Sequence, residues 1–271
     1  MPKTTHTCLI STVRESFRLA LCIAVLAGSA LAQVGQNPPN TAPNAPAKDN
    51  VADAEAMARL KHGDFFPADI NRIAKAGAVQ AIPDLEKQFE LTPDPVSKIS
   101  IASALVRLGD KDPAWWNYLA QGAADAIASD APSPWRFDSK GKALPDVLPS
   151  PELIAWAKVH NLTDVELDTM VSEFLAKVTY LGESGDRRAI PLLRQALSSS
   201  NYMIQTFAAQ GLAELQDKAS IPLIIEACRE APADAAVVIA RSLLDFNDPQ
   251  AQSAARAFRP PQAFKQPQDV K

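Results

Sequence analysis

The fold is decided by residues 186–247, which divide into two lines of equal length: DRRAIPLLRQALSSSNYMIQTFAAQGLAELQ over 186–216 and DKASIPLIIEACREAPADAAVVIARSLLDFN over 217–247. Set one above the other, Ile190, Pro191, Leu192, Leu193 and Ala196 fall on Ile221, Pro222, Leu223, Ile224 and Ala227, an offset of 31 residues. The offset continues, placing Ile204, Ala208, Leu212 and Leu215 on Ala235, Ile239, Leu243 and Phe246. A spacing of i, i+4, i+8, i+11 puts these apolar residues on one helical face. Each line therefore reads as two amphipathic helices. An earlier copy opens with Ala81-Ile82-Pro83-Asp84-Leu85, carries Ile101, Leu105 and Leu108 on its second helix, and closes with Gly109-Asp110. Strand-like alternation competes nowhere along the chain.

One helical pair cannot bury its own apolar stripe, so pairs of this kind stack into a solenoid in which each touches its neighbours. Proline suits the recurring position because the first turn of a helix has N–H groups with no internal acceptor, and Pro83, Pro191 and Pro222 sit near helix starts. Asp186 and Asp217, four residues ahead of Ile190 and Ile221, are candidate N-caps. The expected architecture is all-α: a solenoid of about five pairs, 51–62 with 67–77, 79–91 with 94–109, 112–129 with 163–183, 186–199 with 201–216, and 219–230 with 233–246, followed by a short helix at 249–258.

The I-P-x-L opening of the first helix, the Leu-Gly-Asp-like close of the second and the period near 31 resemble the short bacterial HEAT-like repeats. The resemblance is clear over 79–119 and 182–247, weaker over 51–77 and interrupted over 120–162. It implies an interaction scaffold and brings no catalytic residues with it.

Upstream of the repeats, residues 1–18 carry Lys3, Arg14 and Arg18, and Leu19–Gly28 is an uncharged apolar run leading to Ala30-Leu31-Ala32. This is the pattern of a secretory signal peptide cleaved after Ala32, and the run is half of the roughly 20 residues a spanning helix needs. Export, to a periplasmic or extracellular location, without stable membrane insertion after cleavage, is the expectation. Residues 33–50, with four prolines, read as a disordered linker, and 259–271 as a disordered tail, around a folded body at 51–258. Loss of Lys3, Arg14, Arg18 and Glu15 from 27 Lys+Arg and 31 Asp+Glu leaves 24 and 30, a net charge of −6. A nucleic-acid partner would need a basic stripe, which neither the total nor any local run supplies. Of three cysteines only Cys228 would remain, so stability rests on the core rather than on a disulfide.

The repeat is broken between Ala128 and Asn161 by Pro132, Pro134, Pro145, Pro149 and Pro151, in an insertion at 130–149 that contains Trp135 and Phe137. Two readings stand open: the aromatic pair covers an apolar gap between helices, or it is a recognition loop. Ser150 and Pro151 should start a short helix, and Thr163 with Glu166 should form a capping box that restarts the array. Trp115 and Trp116 occupy the place of Ile-Pro in the other copies, one expected in the core and its neighbour partly exposed. Trp135, Phe137 and Trp116 are thus the candidate partner-binding residues.

Catalytic and cofactor signatures fail. Gly182-Glu183-Ser184-Gly185 is not G-x-S-x-G and lies in a helix-to-helix turn. No phosphate-loop, dinucleotide or H-E-x-x-H pattern occurs, and no cofactor or metal is expected. His62 and His160 are solitary and read as solvated imidazoles, while Cys228 aligns with Leu197 and Phe89 as a small core residue. The expected function is a non-enzymatic scaffold binding a protein or peptide along the second-helix groove or through the insertion. The alternative is a repeat domain supporting hydrolase- or lyase-type chemistry with carboxylates that converge only in three dimensions.

Overall fold

The computed structural model describes residues 48–144 and 149–258; the expected signal peptide, most of the linker, the tail and the part of the insertion at 145–148 lie outside the described residues. Twelve α-helices are present among them: α1 Lys48–His62, α2 Pro67–Lys75, α3 Ile82–Leu91, α4 Pro95–Leu108, α5 Pro113–Ala128, α6 Pro151–Val159, α7 Asp164–Glu183, α8 Ile190–Ala196, α9 Tyr202–Glu214, α10 Ile221–Glu230, α11 Ala233–Arg241 and α12 Pro249–Ala257. The five pairs are α1/α2, α3/α4, α5/α7, α8/α9 and α10/α11, and in every pair the two helices pack on each other. The second helices form one continuous layer, α2 on α4, α4 on α7, α7 on α9 and α9 on α11. The protein is an all-α solenoid.

The recurring Ile-Pro works as expected. Ile82, Ile190 and Ile221 each follow a short 3-10 turn and take the first helical position, with Pro83, Pro191 and Pro222 at the second, where no N–H is missed. Asp186 accepts from the Arg188 N–H at 2.8 Å, the cap expected of it. Asp217 differs: its carboxylate makes no capping bond and instead holds Arg194 Nη2 at 2.7 Å together with the Ser220 hydroxyl. A guanidinium from the preceding first helix outcompetes a backbone N–H because a charge-assisted pair in a half-buried seam is the stronger bond. Thr163 and Glu166 form the anticipated capping box, and Ser150 caps α6 at 3.2 Å from the Leu153 N–H.

Two expectations are corrected. The helix holding the paired tryptophans starts at Pro113, its first residue, so Trp115 and Trp116 lie in its first turn rather than in an Ile-Pro slot. Both are half-buried, and they are divided between neighbouring clusters rather than between core and solvent. Trp115 packs edge-on against Phe89 at 4.9 Å, while Trp116 carries the Arg188 guanidinium over its ring at 4.3 Å. The chain is also already helical at Lys48, ahead of the expected linker boundary.

The apolar stripes form three clusters. The largest runs through pairs two to five and includes Leu193, Ala208, Leu212, Ile239, Leu243 and Phe246. The second joins α1–α4 through Leu60, Ile70, Ile73, Leu85 and Leu105. The third lies under the insertion and takes in Trp135, Leu153, Leu167, Val171 and Met203. Cys228 is buried in the first cluster, and burial pushes its thiol up to about 12, as for an inert core sulfur.

Candidate functional site

Most of the second-helix layer is closed to solvent. Every residue of α4 from Ile99 to Leu105 is buried, because Ser100, Ala102, Ser103 and Ala104 are small enough for α2, α3, α5 and α7 to close around them. In α9 the buried set is Met203–Thr206, Ala208, Ala209 and Gly211–Ala213, leaving half-buried side chains such as Phe207 and Gln210. The groove expected along this layer is therefore reduced to a narrow polar strip.

That strip obeys the repeat. Glu183 at the end of α7, Glu214 at the end of α9 and Asp245 just beyond α11 are related by the same 31-residue offset as the core, and one turn earlier Thr179, Gln210 and Arg241 form a parallel row. The preceding second helices join in: Asn71 Nδ2 donates to Glu183 Oε1 at 3.0 Å, and Arg107 Nη1 donates to the Glu183 carbonyl at 2.8 Å and to Glu214 Oε1 at 3.0 Å. Lys75 Nζ stands 4.0 Å from the same Glu214 oxygen. The carboxyl ends of all five second helices thus contribute to one row of charge.

Desolvation works against two of its carboxylates, Glu183 and Asp245. Burial raises the Glu183 pKa above the ordinary carboxylate range, and repulsion from Glu214 adds to that rise against the pull of Lys75 and Arg107 and the Asn71 hydrogen bond. Desolvation, with Glu214 again contributing, raises Asp245 as well. Arg241 Nη1, in the neighbouring row, is buried without a hydrogen-bond partner among the described residues. Beside the strip lies an open depression of about 490 Å³ lined by Val106, Arg107, Ser184, Gly185, Asp186 and Arg187. It holds neither paired carboxylates nor a histidine. Ser184 donates its hydroxyl to the Leu181 carbonyl at 2.7 Å, a helix-end bond. Among the described residues no group of three or more His, Cys, Asp or Glu side chains is placed to hold a metal ion, and no helix is long and apolar enough to cross a membrane.

The insertion lies at the other end of the second helices. Trp135 is 8% exposed and sits against the cluster formed by Leu153, Ala157, Leu167, Val171, Leu175, Met203 and Ala235. Phe137 is half-buried and meets Trp135 at 6.1 Å and Tyr202 at 5.4 Å, both edge to face. The placement of Trp135 is that of a cover. Of the three residues singled out in the sequence, Trp135 and Phe137 come together and Trp116 stands apart, on the first-helix side, stacked on Arg188. His160 is exposed and stacks on Trp156 at 3.9 Å; His62 is exposed. The polar row was missed because the 31-residue offset was followed only through apolar positions, although it relates Glu183, Glu214 and Asp245 equally well.

Helical pairs stacked in register with a shared second-helix layer define an α-solenoid, a class whose extended surfaces commonly serve protein interaction. Residues 175–244, from the middle of α7 to the turn after α11, match the family model of HEAT repeats. No curated protein and no solved structure matches the chain.

Proposed function

We propose that the protein is an exported, non-enzymatic scaffold that binds a protein or peptide along the polar strip at the carboxyl ends of α2, α4, α7, α9 and α11. The observation carrying this reading is the recurrence of Glu183, Glu214 and Asp245 at one repeat position, with Glu183 and Asp245 both raised above the ordinary carboxylate range by desolvation. A half-buried, desolvated carboxylate such as Glu183 gains more from a partner's donors than a solvated one does. A periodic row suits an extended partner that repeats its contacts from pair to pair. Export rests on the charged start, apolar run and Ala30-Leu31-Ala32 of the amino terminus, and is tested separately by sequencing the exported protein, which should begin at Gln33.

A photo-crosslinking side chain at Gln210, on the strip, should form adducts in the native envelope fraction that the same group at Gln195, exposed on α8, does not form. Equal adducts from both positions would remove the strip as the binding surface. The enzymatic alternative draws on Glu183, a carboxyl kept toward its acid form, as general acids are. Against it, the neighbouring depression is open, its lining contains no histidine, and its one carboxylate, Asp186, is tied to the Arg188 guanidinium. Glu183→Gln separates the two, since a scaffold keeps its adducts at Gln210 whereas an acid catalyst loses its turnover.

A further inference from the structure

The third apolar cluster lies under a segment outside the helical repeats. Its floor comes from regular helices: Leu153 and Ala157 of α6, Leu167, Val171 and Leu175 of α7, Met203 of α9 and Ala235 of α11. Its cover is irregular chain, residues 131–144, whose only ladder is the antiparallel bridge of Phe137 with Ala143. The polar bonds of the cover are mostly internal: Leu144 N–H to the Arg136 carbonyl at 2.9 Å, Asp138 N–H to the Lys142 carbonyl at 2.9 Å, and the Lys140 and Lys142 N–H groups to Asp138 Oδ1. Attachment to the helices is made at two points: Ser150, the N-cap of α6, donates its N–H to the Pro134 carbonyl at 3.1 Å and its hydroxyl to the Ser133 carbonyl at 2.8 Å, and Asp234 forms a latch at the far end of the cover. The Asp234 N–H donates to the Gly141 carbonyl at 3.0 Å, and Asp234 Oδ2 accepts from the Ala143 N–H at 2.9 Å. Gly141, at φ +74°, approaches so closely that a Cβ there would stand 2.5 Å from the Ala233 nitrogen. Beyond these polar bonds, the grip is aromatic, with Trp135 seated in the cluster and Phe137 against Tyr202.

We infer that the surface formed by α6, α7, α9 and the start of α11 is a binding site for a turn-forming segment with aromatic side chains at positions i and i+2, occupied in cis by residues 131–144 and opened when a partner displaces them. The geometry favours exchange over permanent closure. A segment satisfied by its own backbone bonds leaves few orphaned donors when it lifts. A cluster separate from the main core can open without unfolding it, since local opening follows the boundaries of packed units. The aromatic pair supplies the affinity, as large rigid anchors do at interfaces, and the Gly141–Asp234 latch sets the register. The inference does not depend on the polar strip, which lies at the opposite ends of the same helices.

The test uses a full-length variant in which residues 130–149 are replaced by a Gly-Ser linker of equal length, and a fluorescent peptide of residues 131–144. Saturable binding to the linker variant, none to the wild type, and none by the peptide carrying Trp135→Ala and Phe137→Ala is the expected result. A folded linker variant that ignores the peptide, or a wild type that binds it equally, overturns the inference. So does a linker variant that fails to fold, because the cover would then be an integral part of the core. As a second measure, Gly141→Ala with Asp234→Ala should speed lysine-specific cleavage at Lys140 and Lys142 while α7–α11 stays intact; an unchanged cleavage rate would show that the latch holds nothing.

Discussion

Gly182 and Gly211 set the closest approach between α7 and α9, and no side chain larger than hydrogen fits between them. A Cβ at Gly182 would stand 2.4 Å from the Gly211 Cα, whereas one at Gly211 would meet the Gly182 Cα at 3.0 Å and the Leu193 methyls at 3.1 and 3.2 Å. Gly182→Ala must separate two helix backbones and should cost about 1–3 kcal/mol or more; Gly211→Ala, which meets the tip of a leucine as well as backbone, should cost less. Urea titration of the two variants orders them, and equal midpoints would mean that the crossing relaxes freely. The contact joins two residues 29 apart rather than 31, so the repeat itself gives no hint of it. Core positions are different: Leu212 is fully buried, as its place on the i, i+4, i+8, i+11 stripe requires. Leu212→Ala should cost about 2–5 kcal/mol, against little for Gln210→Ala, which lies on the half-buried rim. Equal unfolding midpoints for these two would refute the register. Gln216 shows how one repeat departs from another. It takes the left-handed backbone that Gly185 takes one period earlier, and uses its side chain to reach the Asp245 carbonyl and the Asn247 N–H of the next turn, at 2.8 and 2.9 Å. Those bonds offset the strain of a non-glycine residue there, and they depend on a neighbour the sequence does not reveal.

At the scale of elements, helix existence and order follow from periodicity, prolines and caps, while what each helix faces does not. The α5/α7 pair is legible across more than thirty intervening residues because Thr163 and Glu166 announce a fresh start. The run of prolines in the insertion says only that no helix forms there, and the seating of Trp135 depends on α6, α7, α9 and α11 arriving together. Glu183 belongs to this scale because it ties α7 to α2 and α4. Around it stand Asn71 and Lys75 of α2, Arg107 of α4 and Glu214 of α9. Tyr118 and Asp125 of α5 engage Phe89 and Gln121, and Arg194 of α8 engages Asp217. Its folded-state pKa is raised, chiefly by burial. Between the unfolded and the folded value the native state holds the extra proton, so stability is greatest below the ordinary carboxylate range and falls as pH rises through the raised value. Glu183→Gln keeps an acceptor for Asn71 and removes the titration. It should be more stable than the wild type at neutral pH and converge on it near pH 4, in thermal melts across that range. A variant less stable than the wild type at pH 7 would show that Lys75 and Arg107 outweigh the burial.

Across the whole molecule, the three clusters divide a quasi-linear array into units that need not loosen together. The seam runs through α4, whose Ile101, Ala104, Leu105 and Leu108 belong to the first-pair cluster while Ile99 and Ala102 belong to the main one. On the far side of that seam, pairs three to five are joined twice, by their second-helix layer and by the insertion that reaches from α6 to the start of α11. Pair one has no such strap. Its own fastening is Asp69, buried at the start of α2, which accepts two bonds from Arg59, Nε at 2.9 Å and Nη2 at 2.6 Å, and a third from the Phe66 N–H at 3.0 Å. That guanidinium holds the Asp69 carboxyl below the ordinary carboxylate range, so the ion pair stabilises pair one at neutral pH and ceases to do so as pH falls through the depressed value. In a nearest-neighbour array, a defect at one end raises local opening there and fades with each interface crossed. Asp69→Ala should therefore speed amide exchange in α1 and α2, affect α4 chiefly on the turns that carry Ile101 and Leu105, and leave α7, α9 and α11 at their wild-type rates. Hydrogen-exchange mass spectrometry on the intact chain reads all of these at once. Uniform acceleration from α1 to α12 would mean that the array unfolds as one cooperative body, and the division at α4 would have no energetic meaning.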